Sequence, residues 1–177
     1  ESADQDIRNV FNAISRALRP GGILLAEVPN AGNPWLSGVA RYEDFTHQVC
    51  YLFGAGEQRA PLEAAGIEVT SLGLASPYAL ATALGPLIRR LKAAGPDIVH
   101  TQLFWADQAG RIAARLAGVP KVVTTLQLAS YEPDIPDVYS RKRRWVDRRL
   151  GRWGTDAFIA VSEWVRDSTI RRLHYPP

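Results

Sequence analysis

Six polar residues sit where chemistry is possible: His100, Gln102, Thr125, Gln127, Ser162 and Glu163. An imidazole can move a proton near neutral pH, amides and hydroxyls can grip a polar ligand, and a carboxylate accepts hydrogen bonds. Each of the six falls at or just after the end of a short, mostly apolar run: 97–103, 121–126 or 157–161. If those runs are parallel strands, ligands bind beyond their carboxyl ends, and the six form a candidate substrate-binding set. A plainer reading stands beside this one. His100 can be a buried, hydrogen-bonded strand residue, and Ser162 can simply cap the next helix, although a capped helix N-terminus is also an anion site.

A second group is defined by charge. Seven Lys or Arg residues lie between 141 and 153 against one acid, Asp147. Arg141, Lys142, Arg143, Arg144, Trp145, Arg148 and Arg149 form a candidate membrane-surface segment, because a basic helix with Trp can lie on anionic lipid. The alternative is a solvated helix face whose Trp residues pack inward. Such a helix can also meet nucleic acid, but no nucleic-acid partner is expected.

Other residues are less informative. His47 reads as a loop histidine near Asp44, with no partner pattern to make it a general base. Cys50, the single cysteine, reads as a buried small residue rather than a nucleophile. No Cys/His spacing suggests a metal. Gly54-Ala55-Gly56 is too short for a dinucleotide loop, and no clear buried strand precedes it.

These residues need a scaffold, and the chain supplies one by regular alternation. Ile7, Val10, Phe11, Ile14 and Leu18 predict a helix over 4–19, ended by Pro20-Gly21-Gly22. Residues 23–28 predict a strand buried on both faces. Residues 31–56, rich in Gly, Asn and aromatics, read as loop with at most a helical turn. A short helix is expected over 57–65, a strand over 67–74, and a helix over 79–94 with a kink or late start at Gly85-Pro86. Strands follow over 97–103, 121–126 and 157–161. Helices follow over 107–117, 140–152 and 163–173, and 128–139 is a polar loop. Strands separated by helices imply right-handed parallel β-α-β units. The expected fold class is α/β, a Rossmann-like doubly wound parallel sheet of about five strands with helices on both faces.

The 177 residues suit one domain, with 46% apolar and 22% charged residues as in ordinary globular proteins. One cysteine permits no internal disulfide, which fits a reducing compartment. No apolar run approaches the ~18 residues that span a bilayer. The expected location is the cytoplasm, peripheral to a membrane if the basic helix engages lipid. Methionine is absent even at position 1, so the chain is expected to be processed, excised from something longer or deliberately built.

Two family resemblances run through the sequence. Leu18-Arg19-Pro20-Gly21-Gly22 through Glu27-Val28-Pro29-Asn30, with Phe45-Thr46-His47 after it, resembles a C-terminal piece of class I S-adenosylmethionine-dependent methyltransferases. That family's Gly-x-Gly-x-Gly cofactor loop and its ribose-binding acid are absent, so no binding of S-adenosylmethionine is expected. From about Gly56 the chain resembles the N-terminal domain of a GT-B glycosyltransferase of family 4 type. The carriers are Pro61 to Val69, Pro96-Asp97-Ile98-Val99-His100-Thr101, Gly110 to Pro120, and Thr155-Asp156-Ala157-Phe158-Ile159-Ala160-Val161-Ser162-Glu163. Gln102 stands where that family has a second His, and Leu126-Gln127 where it has another.

The second resemblance implies sugar transfer from a nucleotide-sugar donor, with the six polar residues facing the cleft where acceptor and donor meet. It also implies a C-terminal Rossmann domain that holds the donor and is missing from this chain. The expectation is therefore an acceptor-side domain, inactive in isolation and binding no cofactor by itself. A methyltransferase fragment and a non-catalytic chimeric scaffold are the alternatives. The expected organisation is a methyltransferase-like segment over 1–55 and a glycosyltransferase-like segment over 56–177, merged into one Rossmann-like domain. The join is expected between Tyr51 and Gly66, and a deliberately built chimera is the favoured origin.

Overall fold

The structure is a computed structural model that describes residues 23–26, 46–54, 59–64, 66–132 and 141–175. The helix expected over 4–19 and most of the loop segments 31–56 and 128–139 lie outside these residues. Among the described residues six strands form one sheet: β1 (Ile23–Ala26), β2 (Thr46–Phe53), β3 (Glu68–Leu74), β4 (Ile98–Gln102), β5 (Lys121–Leu126) and β6 (Ala157–Ala160). Their spatial order is β3-β2-β1-β4-β5-β6, and every neighbouring pair is parallel. The chain winds outward from β1 to β3, crosses back, and winds outward again from β4 to β6. That is the doubly wound order, with its switch point between β1 and β4.

The helices are α1 (Arg59–Ala64), α2 (Leu80–Ala94, after a 3-10 turn at Pro77–Ala79), α3 (Phe104–Ala117), α4 (Arg141–Gly154) and α5 (Glu163–Leu173). Two apolar clusters show how the layers form. Cys50 and Leu52 of β2 pack with Leu87 and Leu91 of α2 and with Ala106, Ala109 and Ala113 of α3. Val49 and Tyr51, pointing to the opposite face, pack with Leu62 of α1 and with Ile67 and Val69. Adjacent residues of one strand thus enter different cores, as the two-residue pleat requires.

The six-strand sheet corrects the count of five. The added strand is β2, which lies in the segment read as loop. Val49-Cys50-Tyr51-Leu52-Phe53 is a continuous apolar run with no alternation because both its faces are covered. His47 accordingly stands in a strand rather than a loop, while Asp44 lies outside the described residues. A buried strand does precede Gly54. Cys50 is a buried core residue, as expected.

Helix α2 does not start late: it runs unbroken from Leu80 across Pro86, burying Ala83, Leu87 and Leu91 at intervals of four. Gly95 ends it in the left-handed conformation, its N–H bonded to the Leu91 carbonyl. Helix α3 begins at Phe104, three residues before the expected Asp107, and lies close on β4. A Cβ on Gly110 would stand 2.5 Å from Cγ2 of Thr101, so only glycine permits this approach. Among the described residues no helix is long and apolar enough to cross a membrane.

Candidate functional site

Strands β4 and β5 pair with His100 opposite Val123, Thr101 opposite Thr124 and Gln102 opposite Thr125. The pleat sends His100, Gln102 and Thr125 to one face and Thr101 and Thr124 to the other. On the first face His100 Nε2 and Thr125 Oγ1 share a hydrogen bond of 2.6 Å. Past the strand end, Gln127 Nε2 donates to Gln102 Oε1 at 2.8 Å. Four of the six candidate residues therefore meet as two pairs. His100 is 5% exposed, and burial lowers its pKa from 6.5 to about 4, so the ring is neutral at pH 7. That geometry is the buried, hydrogen-bonded strand histidine weighed above.

Ser162 and Glu163 stand apart from this group. Ser162 caps α5, its Oγ accepting from Val165 N–H at 3.2 Å, and Glu163 occupies the exposed first turn. Both lie at the carboxyl end of β6, beside the end of β5, where Val161 N–H bonds the Leu126 carbonyl.

A shallow depression opens at the carboxyl end of β5. Its lining includes Phe104, Asp107, Thr125, Gln127, Tyr131 and Asp147. Asp107, Tyr131 and Asp147 of this lining belong to a polar cluster that the sequence reading did not single out. Arg111 of α3 is fully buried, and its Nη1 donates to Asp147 Oδ1 of α4 at 2.7 Å. Its Nε donates to Thr155 Oγ1 at 2.9 Å, and its guanidinium carbon lies 6.0 Å from the Phe158 ring centre.

Asp147 gathers three further donors: Gln108 Nε2 at 3.1 Å, Tyr131 Oη at 3.1 Å and Tyr175 Oη at 3.3 Å. Tyr175 stacks on Phe158 with ring centres 4.2 Å apart, and burial pushes its phenol up, with Asp147 adding to the effect.

With Asp147 serving as the counter-ion, Asp107 is a second buried acid for one guanidinium. Its Oδ2 stands 3.9 Å from Arg111 Nη2. Burial raises its pKa from 3.8 to about 7 against the opposing pull of Arg111. Asp107 Oδ1, Gln108 Oε1 and Arg111 Nη2 are buried without a hydrogen-bond partner among the described residues. An acid that titrates near neutrality at the rim of a depression can give or take a proton there. Two signals pointed to this cluster. Asp107 and Arg111 form an i,i+4 charged pair amid the buried Ala106, Ala109, Ala113 and Ala114, and Asp147 is the lone acid in a run of cations. Among the described residues no group of three or more His, Cys, Asp and Glu could hold a metal ion.

The loop after β5 is fastened on its other side. Glu132 accepts from Ser168, then from Arg172 and Arg171, and these bonds hold its carboxyl down at about 2. On α4, Arg141, Lys142, Arg144, Trp145 and Arg149 are exposed, whereas Arg143 and Arg148 are half-buried. Trp145 and Trp153 are 63% and 52% exposed, so they do not pack inward as the solvated-face alternative had it.

Comparison with known proteins bears on this arrangement. A family model described as the glycosyl transferase 4-like domain matches residues 35–177. No curated protein matches. Among solved structures, Anabaena HepE in complex with UDP superposes with a TM-score of 0.64 at 20% identity, covering 85% of this chain and 40% of its own. A glycosyltransferase from Rickettsia africae gives 0.64 at 18%, covering 89% and 41%. The UDP-GlcNAc 2-epimerase of Methanocaldococcus jannaschii gives 0.56 at 14%, covering 84% and 42%. These likenesses show the fold, and the chain spans less than half the length of each of these proteins.

Proposed function

The chain belongs to the glycosyl transferase 4-like domain family, and from that premise we propose that it is the acceptor-side half of an enzyme transferring a sugar from a nucleotide-sugar donor. The observation that carries this is the depression at the carboxyl end of β5, where carboxylates, an amide and aromatic rings converge on an open space. Carboxylates and amides accept hydrogen bonds from sugar hydroxyls, and aromatic rings cover their apolar C–H faces. In this reading the donor is held by a second Rossmann domain, and this chain is inactive alone. His100, Gln102, Thr125 and Gln127 act in this reading as the support for the β4 and β5 crest. Ser162 and Glu163 face the partner domain.

The test is amide NMR of the chain titrated with glucose, N-acetylglucosamine and UDP in separate series. The sugars should shift Thr125, Gln127 and Tyr131 at millimolar concentration, and UDP should shift none of them. Micromolar UDP binding at those residues, or sugar-induced shifts confined to other surfaces, overturns the proposal.

We also read the N-terminal stretch as a methyltransferase-like piece joined to the glycosyltransferase part. In support, β1 pairs in parallel with β2 on one side and β4 on the other, so the piece would complete a continuous sheet. The family match reaches back to residue 35, which moves the proposed join upstream of the Tyr51–Gly66 interval. This piece lacks a glycine turn and a ribose-binding acid, so calorimetric titration with S-adenosylmethionine should show no binding. Micromolar affinity would restore the methyltransferase alternative.

A further inference from the structure

Helix α4 divides its residues unusually. Asp147 turns inward to Arg111, Gln108, Tyr131 and Tyr175. Gly151 and Gly154 also face in, buried beneath Tyr175 and against Arg111. Arg143 lies over Phe104 and Trp105, with its guanidinium carbon 4.8 Å from the Trp105 ring centre. The exposed residues of α4 are all cationic or aromatic. At 100° per residue, Arg141, Lys142, Trp145, Arg149, Arg152 and Trp153 fall within one solvent-facing stripe. No acid shares that stripe. No ion pair among the described residues involves any of its four cations.

We infer that this outer face of α4 is a docking surface for an anionic lipid bilayer, with the helix lying flat and Trp145 and Trp153 at the headgroup level. Three features select lipid. Cations along a full helix face, without an ion pair among the described residues, meet a negatively charged plane, not a single acidic ligand. Two tryptophans more than half exposed are large apolar groups in water, and the membrane interface is where an indole finds both apolar and polar surroundings. The face is a convex ridge, whereas single-stranded nucleic acid is bound in grooves that track its backbone over free ring faces. Here one face of Trp145 is already met by Arg149, 5.8 Å from its centre. Anchoring through Asp147 holds the ridge rigid, so docking orders few groups.

The experiment is co-sedimentation of the full chain with vesicles of phosphatidylcholine alone or mixed with phosphatidylserine, at low and high salt. A charge variant carries Arg141→Ser, Lys142→Ser, Arg149→Ser and Arg152→Ser. Arg143 is left in place because it packs inward. An aromatic variant carries Trp145→Ser and Trp153→Ser. All six positions are exposed, and melting curves are to be run to check that the variants fold.

The parent should bind phosphatidylserine vesicles at low salt, bind neutral vesicles far less, and be released by salt. The charge variant should lose affinity by at least about tenfold, since each cation near such a surface contributes roughly fivefold. The aromatic variant should keep a weaker, salt-sensitive association but lose the blue shift of tryptophan emission on binding. Absence of parent binding at low salt, equal binding by parent and charge variant, or equal binding to neutral and anionic vesicles overturns the inference. So does tighter binding to a single-stranded RNA oligomer than to the vesicles.

Discussion

Arg111 and Asp147 show how a buried charge can be tolerated. The guanidinium is fully buried and the carboxylate almost so, with side chains 0% and 13% exposed, and each is met by further hydrogen bonds. Removing one partner strands the other, which typically costs about 3–5 kcal/mol, whereas replacing both by apolar residues costs far less. Asp147→Asn should therefore lower stability in urea by about 3 kcal/mol or more, and Arg111→Met combined with Asp147→Leu should lower it less; the reverse ranking would mean that the pair is not the source. His100 yields a pH prediction. Its pKa is 6.5 in the unfolded chain and about 4 when folded, so between these values the unfolded state binds more protons. Stability should fall by roughly 3 kcal/mol as pH drops through that window. Asp107 acts in the opposite sense. Its carboxyl keeps its proton in the folded state up to about 7, so its contribution falls as pH rises from 3.8. The clean measurement is the difference between parent and His100→Asn, whose urea stabilities should converge below pH 6.5; parallel curves would refute the shift. In the sequence, His100 was visible as a strand-end residue, but its neutrality was not, because that follows from what covers it.

At the scale of elements, contact between α3 and β4 rests on the missing side chain at Gly110. Gly110→Val should destabilise by about 1–3 kcal/mol, because the new side chain meets Thr101 or lifts the helix; a change under 0.5 kcal/mol would show that the helix shifts freely. What could be read from sequence followed the local code. The helices over 79–94 and 163–173 and the Ser162 cap all declare themselves within a few residues. What failed depended on long-range cover. Strand β2 looked like loop because both its faces are buried by elements distant in sequence, which erases alternation. The inward turn of Asp147 was equally hidden, since its partner Arg111 lies 36 residues away. The direction of Trp145 and Trp153 follows from that same anchor: once Asp147 points in, helical geometry sends both indoles out.

For the molecule as a whole, one six-strand sheet predicts one unfolding event. Fluorescence and far-UV circular dichroism should report a single coincident thermal transition, with no early hydrogen exchange separating β1–β3 from β4–β6; two resolved transitions would show that the halves are independent. The strand order also has a consequence during synthesis. Strand β1 is the first of the six to leave the ribosome, yet one of its two edges is covered only when β4 arrives, about 70 residues later. At ordinary translation speeds of roughly 5–20 residues per second, that edge stays open for several seconds or more. An unpaired apolar strand is a template for a neighbouring nascent chain. The growing polypeptide thus passes through an interval of aggregation risk set by topology rather than by final stability, and slow translation or close-spaced ribosomes should lengthen or worsen it.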